Sequence, residues 1–326
     1  MTEPLGRHAS HDPGETLILP AVSSQDDTEF SPPPSAGRHA SPRSAVDAGQ
    51  HPVVPEQPVV PVSPAIVSSA ILEPPAVSAA SERAAPRSAG QVRLVWVYPD
   101  LLSTYGDRGN LLVLTRRALL RDIQVDAMDV NSDQPVPDDG DIYLLGGGED
   151  LPQVLAASRL RADGGLARAA ERGAVIFAVC AGYQLVGREF GGVDGDRLPG
   201  LSILDVSSGR GKQRGVGEIV ADVDPTLGVP RLTGFENHQG VTKIGPGARP
   251  LAQVRLGVGN GDGTEGAYAG KVLGTYLHGP ALARNPGLAD LLLSWVVGPL
   301  QPLDPASEEW ATQLRAERLA ATAAAN

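Results

Sequence analysis

The sequence predicts an α/β protein with a mostly parallel β-sheet, preceded by a disordered N-terminal tail. From residue 93 onward, apolar strand-like runs alternate with amphipathic helical runs, the pattern of strands joined by crossover helices. The run at 174–179 is continuously apolar, as is typical of a parallel strand buried on both faces. By contrast, residues 1–90 contain 15 of the 29 prolines and only one of the thirteen aromatic residues, Phe30.

The domain organisation follows from this change in composition. A segment rich in Pro, Ala and Ser with one aromatic side chain buries too little apolar surface to offset the entropy lost on ordering. We therefore expect a disordered tail over 1–90, a folded domain over 91–300 and a helical C-terminal extension over 301–326.

The elements of the first half of the domain follow one another as strand, helix, strand, strand, helix, strand. In order, the sequence predicts a strand at 93–99, a helix with Leu111, Leu114, Ala118 and Leu119 on its apolar face, strands at 123–130 and 141–147, a helix ending at Arg172–Gly173, and a strand at 174–179. The second half is predicted to contain extended segments at 202–206, 217–223 and 231–240, a hairpin turning at Gly270–Lys271, and helices at 286–297 and 307–323.

Charge and composition exclude several classes of protein. The net charge of −11 leaves no basic surface for nucleic acid. No apolar run reaches the roughly 18–20 residues that a transmembrane helix needs, and the N-terminus lacks the pattern of a secretory signal. A single cysteine excludes both a disulfide framework and a cysteine-rich zinc site. We therefore expect a soluble cytoplasmic protein.

The chemistry-bearing segment is AVIFAVCAGYQLVGREF at 174–190. A strand, a cysteine, two small residues and a helical run are typical of a nucleophile elbow, in which the tight turn requires small neighbours such as Ala178 and Gly182. The N-terminus of the following helix is expected to lower the pKa of the Cys180 thiol. The alternative is that Cys180 is an inert, buried, small apolar residue.

The histidines narrow the choice of a general base. Six are present, and four of them fall in the predicted tail: His8, His11, His39 and His51. The remaining two are His278, which follows a strand-like run where a base could reach over the sheet, and His238, for which a structural role is favoured.

Two glycine-rich segments are candidates for ligand binding. GGGED at 146–150 follows a strand, and its backbone N–H groups could bind an oxyanion, a phosphate or nothing beyond a tight turn. Neither this segment nor SGRGKQRG at 208–215 matches a nucleotide-binding glycine motif. The second segment is predicted to be a basic loop that can hold a carboxylate.

Five motifs together resemble a known family. In order, they are YPDLLSTYGDRGN, LLGGGEDL, VCAGYQL, GFENHQG and GTYLHGP, within about 93–298. The chain resembles the class I glutamine amidotransferases of the cobyric-acid-synthase type, and within them the glutamine amidotransferase subunits (GatD) of lipid II isoglutaminyl synthase. This resemblance implies a flavodoxin-like three-layer sandwich with a mostly parallel central sheet.

The resemblance also implies roles for individual residues. Cys180 would be the nucleophile and His278 the general acid and base. Backbone N–H groups of Gly147, Gly148 and Ala181 would form the oxyanion hole. The substrate L-glutamine would be bound by Arg214 and Gln184, while His238 and Glu236 are secondary site candidates.

The resemblance further implies a partner and a location. Ammonia would pass to a Mur-ligase-like subunit, MurT, which carries ATP and magnesium and amidates the D-glutamate of lipid II, so this chain would need no cofactor or metal of its own. It would act in the cytoplasm, at the inner face of the membrane where its lipid-linked substrate lies. Alternatives are another acceptor, such as a corrinoid, or a non-catalytic binding subunit.

One departure concerns the third catalytic residue. His278 is followed by Gly279 and Pro280, with no carboxylate at the position where ordinary class I enzymes have one. The resemblance implies that the partner ligase supplies this acid. We therefore expect weak glutaminase activity from the chain alone.

Overall fold

The computed structural model describes residues 90–192 and 194–324, and the predicted disordered tail lies outside them apart from its last residue. The strands are β1 Gln91–Val97, β2 Gln124–Val130, β3 Ile142–Leu145, β4 Val175–Val179, β5 Glu189–Gly191, β6 Arg197–Pro199, β7 Val206–Val223, β8 Leu232–Ile244, β9 Arg249–Leu256, β10 Thr264–Ala269 and β11 Val272–Thr275. The α-helices are α1 Arg108–Leu119, α2 Asp150–Asp163, α3 Gly165–Glu171, α4 Ala181–Val186, α5 Ala281–Arg284, α6 Pro286–Val297 and α7 Pro305–Ala324.

Five parallel strands form the central part of the sheet, in the order β2-β1-β3-β4-β11. This is the flavodoxin-like strand order, and the predicted fold class is confirmed. All five residues of β4 and all four of β3 are buried, as expected for strands covered by helices on both faces. The carboxyl ends of four of these strands, β1, β3, β4 and β11, therefore meet at one edge of the sheet.

Antiparallel strands extend the sheet beyond β11. The β10–β11 hairpin turns at Gly270–Lys271 as predicted, with Ala269 paired to Val272. Strands β7 and β8 form a long ribbon, interrupted by a register shift between Arg210 and Gly215. The segment 208–215 was predicted to be a loop, and this prediction is wrong because the segment lies within β7. Its residues 208–210 and Gly215 pair with β8, and the register shift falls between them.

Two helical predictions also need correction. The single helix expected to end at Arg172 is two helices, α2 and α3, because Gly164 adopts a left-handed conformation (φ +68°) between them. On α1, the apolar face does not include Leu119, which is 52% exposed. The α1 residue Arg117 is buried instead and pairs with carboxylates on two other helices.

The C-terminal helix α7 packs on the same folded body. Arg117 on α1 pairs with Asp290 on α6 and with Glu308 on α7, both at 2.7 Å. Arg315 on α7 donates a hydrogen bond to Asn285 at 3.2 Å. In the part of the chain that the structure describes, no helix combines the length and apolar character needed to span a membrane.

Candidate active site

Four loops converge at the carboxyl edge of the parallel strands. They follow β1, β3, β4 and β11, so they bring together residues that are up to 180 positions apart in sequence. Open parallel sheets place their binding sites at this edge. Strand pairing sets the alignment: Val179, which precedes Cys180, lies opposite Thr275 in β11, three residues before His278.

Cys180 occupies the predicted strand-to-helix turn between β4 and α4. Its backbone has φ +52° and ψ −105°, a strained conformation for a residue with a side chain. Its N–H donates to the carbonyl of Thr275 at 2.8 Å, which fixes the turn to the neighbouring strand. A Cβ on Gly182 would lie 2.7 Å from the Leu145 side chain, so only glycine allows the helix to approach β3 this closely.

The protonation state of Cys180 differs from the prediction. The residue is only 9% exposed, and burial raises the pKa of its thiol to about 12. The charge of Asp107 raises this pKa further, whereas the Ala181 N–H and the charge of Arg214 oppose the increase. Desolvation disfavours the thiolate more than the short helix α4 stabilises it, and the predicted lowering of the pKa is therefore wrong.

His278 lies just beyond β11 and is fully buried. Its backbone exchanges two hydrogen bonds with Phe235 of β8, which anchors the residue against the β7–β8 ribbon. The ring of Tyr105 covers the imidazole edge-on, with 4.9 Å between ring centroids. Neither ring nitrogen has a hydrogen-bond partner among the described residues.

Sequence reasoning missed Asp107, which lies beside His278. Asp107 precedes α1, and its Oδ1 is 3.6 Å from Nδ1 of His278, with both side chains at most 1% exposed. The other carboxylate oxygen, Oδ2, accepts the N–H of Gly147 at 2.5 Å. The sequence signal for Asp107 is its place in the YGDRGN motif, well before His278, whereas ordinary class I enzymes have their acid just after the catalytic histidine.

The glycine loop after β3 is closely packed against these groups. A Cβ on Gly147 would lie 2.7 Å from Cε1 of His278, so the absence of a side chain lets the imidazole approach. Because the Gly147 N–H already donates to Asp107, it is not free to bind an oxyanion in this structure. Of the three predicted oxyanion donors, Gly148 and Ala181 remain, and both line the cavity next to Cys180.

A cavity of about 320 Å³ opens beside Cys180, and Arg214, Gln184 and His238 are among the residues that line it. This volume suits a small-molecule ligand. Arg214 on β7 donates from Nε to Oδ1 of Asn237 at 2.6 Å, and Nδ2 of Asn237 donates to the Tyr105 hydroxyl at 2.6 Å. The two hydrogen bonds hold the Arg214 guanidinium at the cavity that Cys180 also lines.

The remaining predicted site residues, Gln184, His238 and Glu236, belong to a network of polar contacts at the cavity wall. Gln184 on α4 accepts from Gln153 at 2.8 Å and donates to the Tyr276 hydroxyl at 3.2 Å. His238 stacks on Tyr276 with 3.8 Å between ring centroids. Its Nε2 lies 3.3 Å from Glu236, which also accepts two backbone N–H groups. These contacts give His238 and Glu236 a structural role in supporting the cavity wall.

Within 90–192 and 194–324, no group of three or more His, Cys, Asp or Glu side chains could hold a metal ion.

The family of CobB/CobQ-like glutamine amidotransferase domains matches residues 93–286, from β1 to the start of α6. The match covers more than half of the chain, and the chain therefore belongs to this family of glutamine amidotransferases. Within it, the chain is similar to the lipid II isoglutaminyl synthase (glutamine-hydrolyzing) subunit GatD of Staphylococcus aureus. The two are 39% identical over 198 residues, which are 60% of this chain and 79% of that protein.

The chain is also similar to a second GatD subunit and, over a shorter stretch, to a cobyric acid synthase. The GatD subunit of Streptococcus pneumoniae is 34% identical over 213 residues, 63% of this chain and 80% of that protein. The cobyric acid synthase of Pelotomaculum thermopropionicum is 38% identical, but over 40% of this chain and only 27% of that protein. The alignment with the crystal structure of a glutamine amidotransferase from Thermotoga maritima covers 70% of this chain and 96% of that protein, with 16% identity and a TM-score of 0.43. That structural likeness is too weak to add to the sequence matches.

Proposed function

We propose that this chain is the glutaminase subunit of a lipid II amidating enzyme, and that Cys180 is its nucleophile. The observation that carries this proposal is the strained Cys180 turn at the end of β4, with His278 at the end of the adjacent strand β11 and a ligand-sized cavity beside the sulfur. A side chain held in a strained backbone conformation at a strand-to-helix turn is the arrangement that exposes a nucleophile to a substrate.

The cavity offers groups that complement both ends of free glutamine. Arg214 is held through Nε, so its two terminal nitrogens are directed to bind the α-carboxylate in a two-point contact. Glu149 lines the same cavity and would pair with the α-ammonium, whereas the neighbouring Asp150 is already engaged by Arg210 at 3.1 Å. Gln184 lines the cavity as a further polar contact. The side-chain amide of glutamine would then point towards Cys180.

The first half of the reaction forms a thioester and releases ammonia. Because the pKa of the thiol is raised to about 12, the sulfur is protonated at neutral pH, and His278 takes its proton as the sulfur attacks the amide carbon. The N–H groups of Gly148 and Ala181 stabilise the negative charge that develops on the carbonyl oxygen. His278 then donates the proton to the departing nitrogen, which leaves as ammonia and gives the γ-glutamyl thioester.

The second half of the reaction restores the enzyme. A water molecule attacks the thioester while His278 accepts its proton, and the same two backbone N–H groups stabilise the second oxyanion. The proton returns from His278 to the sulfur as the carbon–sulfur bond breaks. L-Glutamate and the free thiol are the products, and no cofactor takes part in either half.

Ammonia released into water near neutral pH becomes ammonium, which is not a nucleophile, so a glutaminase of this kind needs a docked acceptor enzyme. We assign that role to a Mur-ligase-like subunit, MurT, which would bind ATP and magnesium and activate the D-glutamate carboxylate of the lipid II stem peptide. Ammonia then gives the D-isoglutamine amide. The similarity to two GatD subunits supports this assignment, and lipid II would place the reaction at the cytoplasmic face of the membrane.

The decisive experiment is amidation of lipid II by this chain co-purified with its Mur-ligase-like partner. Wild type should amidate with glutamine as the nitrogen source, whereas Cys180→Ser and His278→Ala should lose this activity. Both variants should still amidate when an ammonium salt replaces glutamine, because the ligase is intact. Glutamine-dependent amidation by Cys180→Ser would refute the assignment of the nucleophile, and amidation of a corrinoid but not lipid II would refute the acceptor.

A further inference from the structure

We propose that Asp107 positions His278, so that the chain itself provides the third member of the catalytic relay. This inference rests on the proposed glutaminase function and replaces the expectation that the partner ligase supplies the acid. Asp107 lies in the loop between β1 and α1, after the first parallel strand of the chain, whereas His278 follows β11, the last one. Only the folded sheet brings the two residues together.

The geometry of the pair carries the proposal. Asp107 Oδ1 and His278 Nδ1 are 3.6 Å apart in a region that solvent does not reach. Both atoms lack any hydrogen-bond partner among the described residues, although buried polar atoms are almost always paired. Each is therefore the available partner of the other. The distance is too long for a hydrogen bond, but catalytic hydrogen bonds are often long without substrate and shorten when it binds.

The second carboxylate oxygen fixes the direction of the first. Asp107 Oδ2 accepts the Gly147 N–H at 2.5 Å, and the Asp107 side chain makes no capping bond to α1 although it begins that helix. A carboxylate anchored through one oxygen presents the other in a defined direction, here towards the imidazole.

The chemical consequence concerns the two nitrogens of His278. A carboxylate that accepts Nδ1–H selects the tautomer in which Nε2 carries a lone pair, the form that can take the proton from Cys180. When that proton moves, the imidazolium forms next to the Asp107 charge, which stabilises it. The same charge disfavours an isolated thiolate at Cys180, so Asp107 favours proton transfer to His278 over loss of the proton to solvent.

The test replaces the acid by its amide. In Asp107→Asn, the side-chain oxygen can still accept the Gly147 N–H, which forces the NH₂ group towards Nδ1 of His278. The imidazole must then accept at Nδ1 and carry its proton on Nε2, the wrong tautomer for a base. Asp100→Asn is the matched control, because Asp100 belongs to the same loop but its carboxylate binds Ser132.

The first readout is glutamine hydrolysis by the full chain, alone and with its co-purified partner. We expect kcat of Asp107→Asn to fall at least about 10²-fold, and at most by the ~10⁴-fold loss that follows when the orienting Asp of a serine-protease triad becomes Asn. The KM for glutamine should stay within about threefold, since Asp107 does not line the cavity, and Asp100→Asn should behave as wild type. Normal activity of Asp107→Asn in the complex would overturn the proposal and leave the partner as the source of the acid.

The second readout is the tautomer of His278, which a merely structural role of Asp107 would not change. Nitrogen NMR of histidine-labelled protein should show a proton on Nδ1 in wild type and on Nε2 in Asp107→Asn. His238 is the internal reference, because its Nδ1 faces the Gly240 carbonyl at 3.0 Å and should keep its proton in both proteins.

The wild-type spectrum decides the question even if Asp107→Asn does not fold. A proton on Nε2 of His278 in the wild-type protein would overturn the proposal by itself. Failure of the proposed function would give a different result, namely glutamine hydrolysis that persists in Cys180→Ser.

Discussion

The raised thiol pKa predicts that Cys180 is slow to react with small thiol reagents. Cys180 is the only cysteine in the chain, so intact mass after reaction with methyl methanethiosulfonate reports on this residue alone. The experiment compares the reaction rate of Cys180 in the folded protein with its rate in the same chain unfolded in urea. In the folded protein the sulfur is 9% exposed and lacks the water that would stabilise a thiolate.

The size of the effect follows from two opposing factors. Folding raises the thiol pKa from its usual 9.0 to about 12, which lowers the thiolate fraction at neutral pH about 10³-fold. A more basic thiolate is also a better nucleophile. With a Brønsted coefficient of about 0.4–0.5, the rate constant of the thiolate itself rises roughly 20-fold, which offsets part of this loss. The net prediction is a reaction about 50-fold slower in the folded protein than in the unfolded chain, and slower still if the reagent reaches the sulfur with difficulty.

Two variants test the cause of this slow reaction because their predicted effects have opposite signs. Asp107→Asn removes a negative charge that raises the pKa of Cys180, so it should speed the reaction. Arg214→Gln removes a positive charge that lowers this pKa, so it should slow the reaction. The rate should also rise with pH up to about pH 10 without a plateau. A folded wild-type protein that reacts as fast as the unfolded chain at pH 7 would refute the reasoning.

Three further predictions concern Gly147 and Arg214 at the candidate site and Glu265, a buried residue of β10 that accepts a hydrogen bond from Thr275 of β11. Burial raises the pKa of Glu265 from 4.5 to about 7, so its contribution to stability is present below about pH 4.5 and lost by about pH 7. Between pH 5 and pH 8, urea denaturation should show wild type losing about 2–3 kcal/mol more than Glu265→Gln, and equal losses would contradict this. In Gly147→Ala, the new Cβ would lie 2.7 Å from Cε1 of His278, so the imidazole must move and kcat for glutamine hydrolysis should fall at least about 10²-fold; an unchanged kcat would contradict this. Arg214→Lys keeps the charge but loses the two-point contact, so the KM for glutamine should rise about tenfold, and an unchanged KM would argue against carboxylate binding.

The central sheet could be predicted from the sequence because its strands carry their own signal. The run Val175–Val179 is apolar at every position, and the small residues after it leave few structures other than a tight turn. His278 was a strong candidate because the predicted domain contains only one other histidine. The residue types alone were therefore enough to predict the buried strand and the candidate base.

Features that depend on distant contacts could not be predicted. Asp107 and His278 are 171 positions apart, and only the adjacency of β1, β3, β4 and β11 brings them together. The sign of the shift in the Cys180 pKa depends on burial by the surrounding loops, which a helix N-terminus in the sequence does not reveal. Likewise, the glycine-rich segment 208–215 has the composition of a loop, but the pairing of 208–210 and of Gly215 with β8 keeps it within β7.

The order of the strands along the chain has a consequence for biosynthesis. Strand β11 enters the sheet next to β4, yet the ribosome makes it almost a hundred residues later. Until it emerges, His278 is missing and the candidate active site is incomplete. Contacts this distant in sequence also close late in folding. Catalytic competence is therefore among the last properties that the newly made protein acquires.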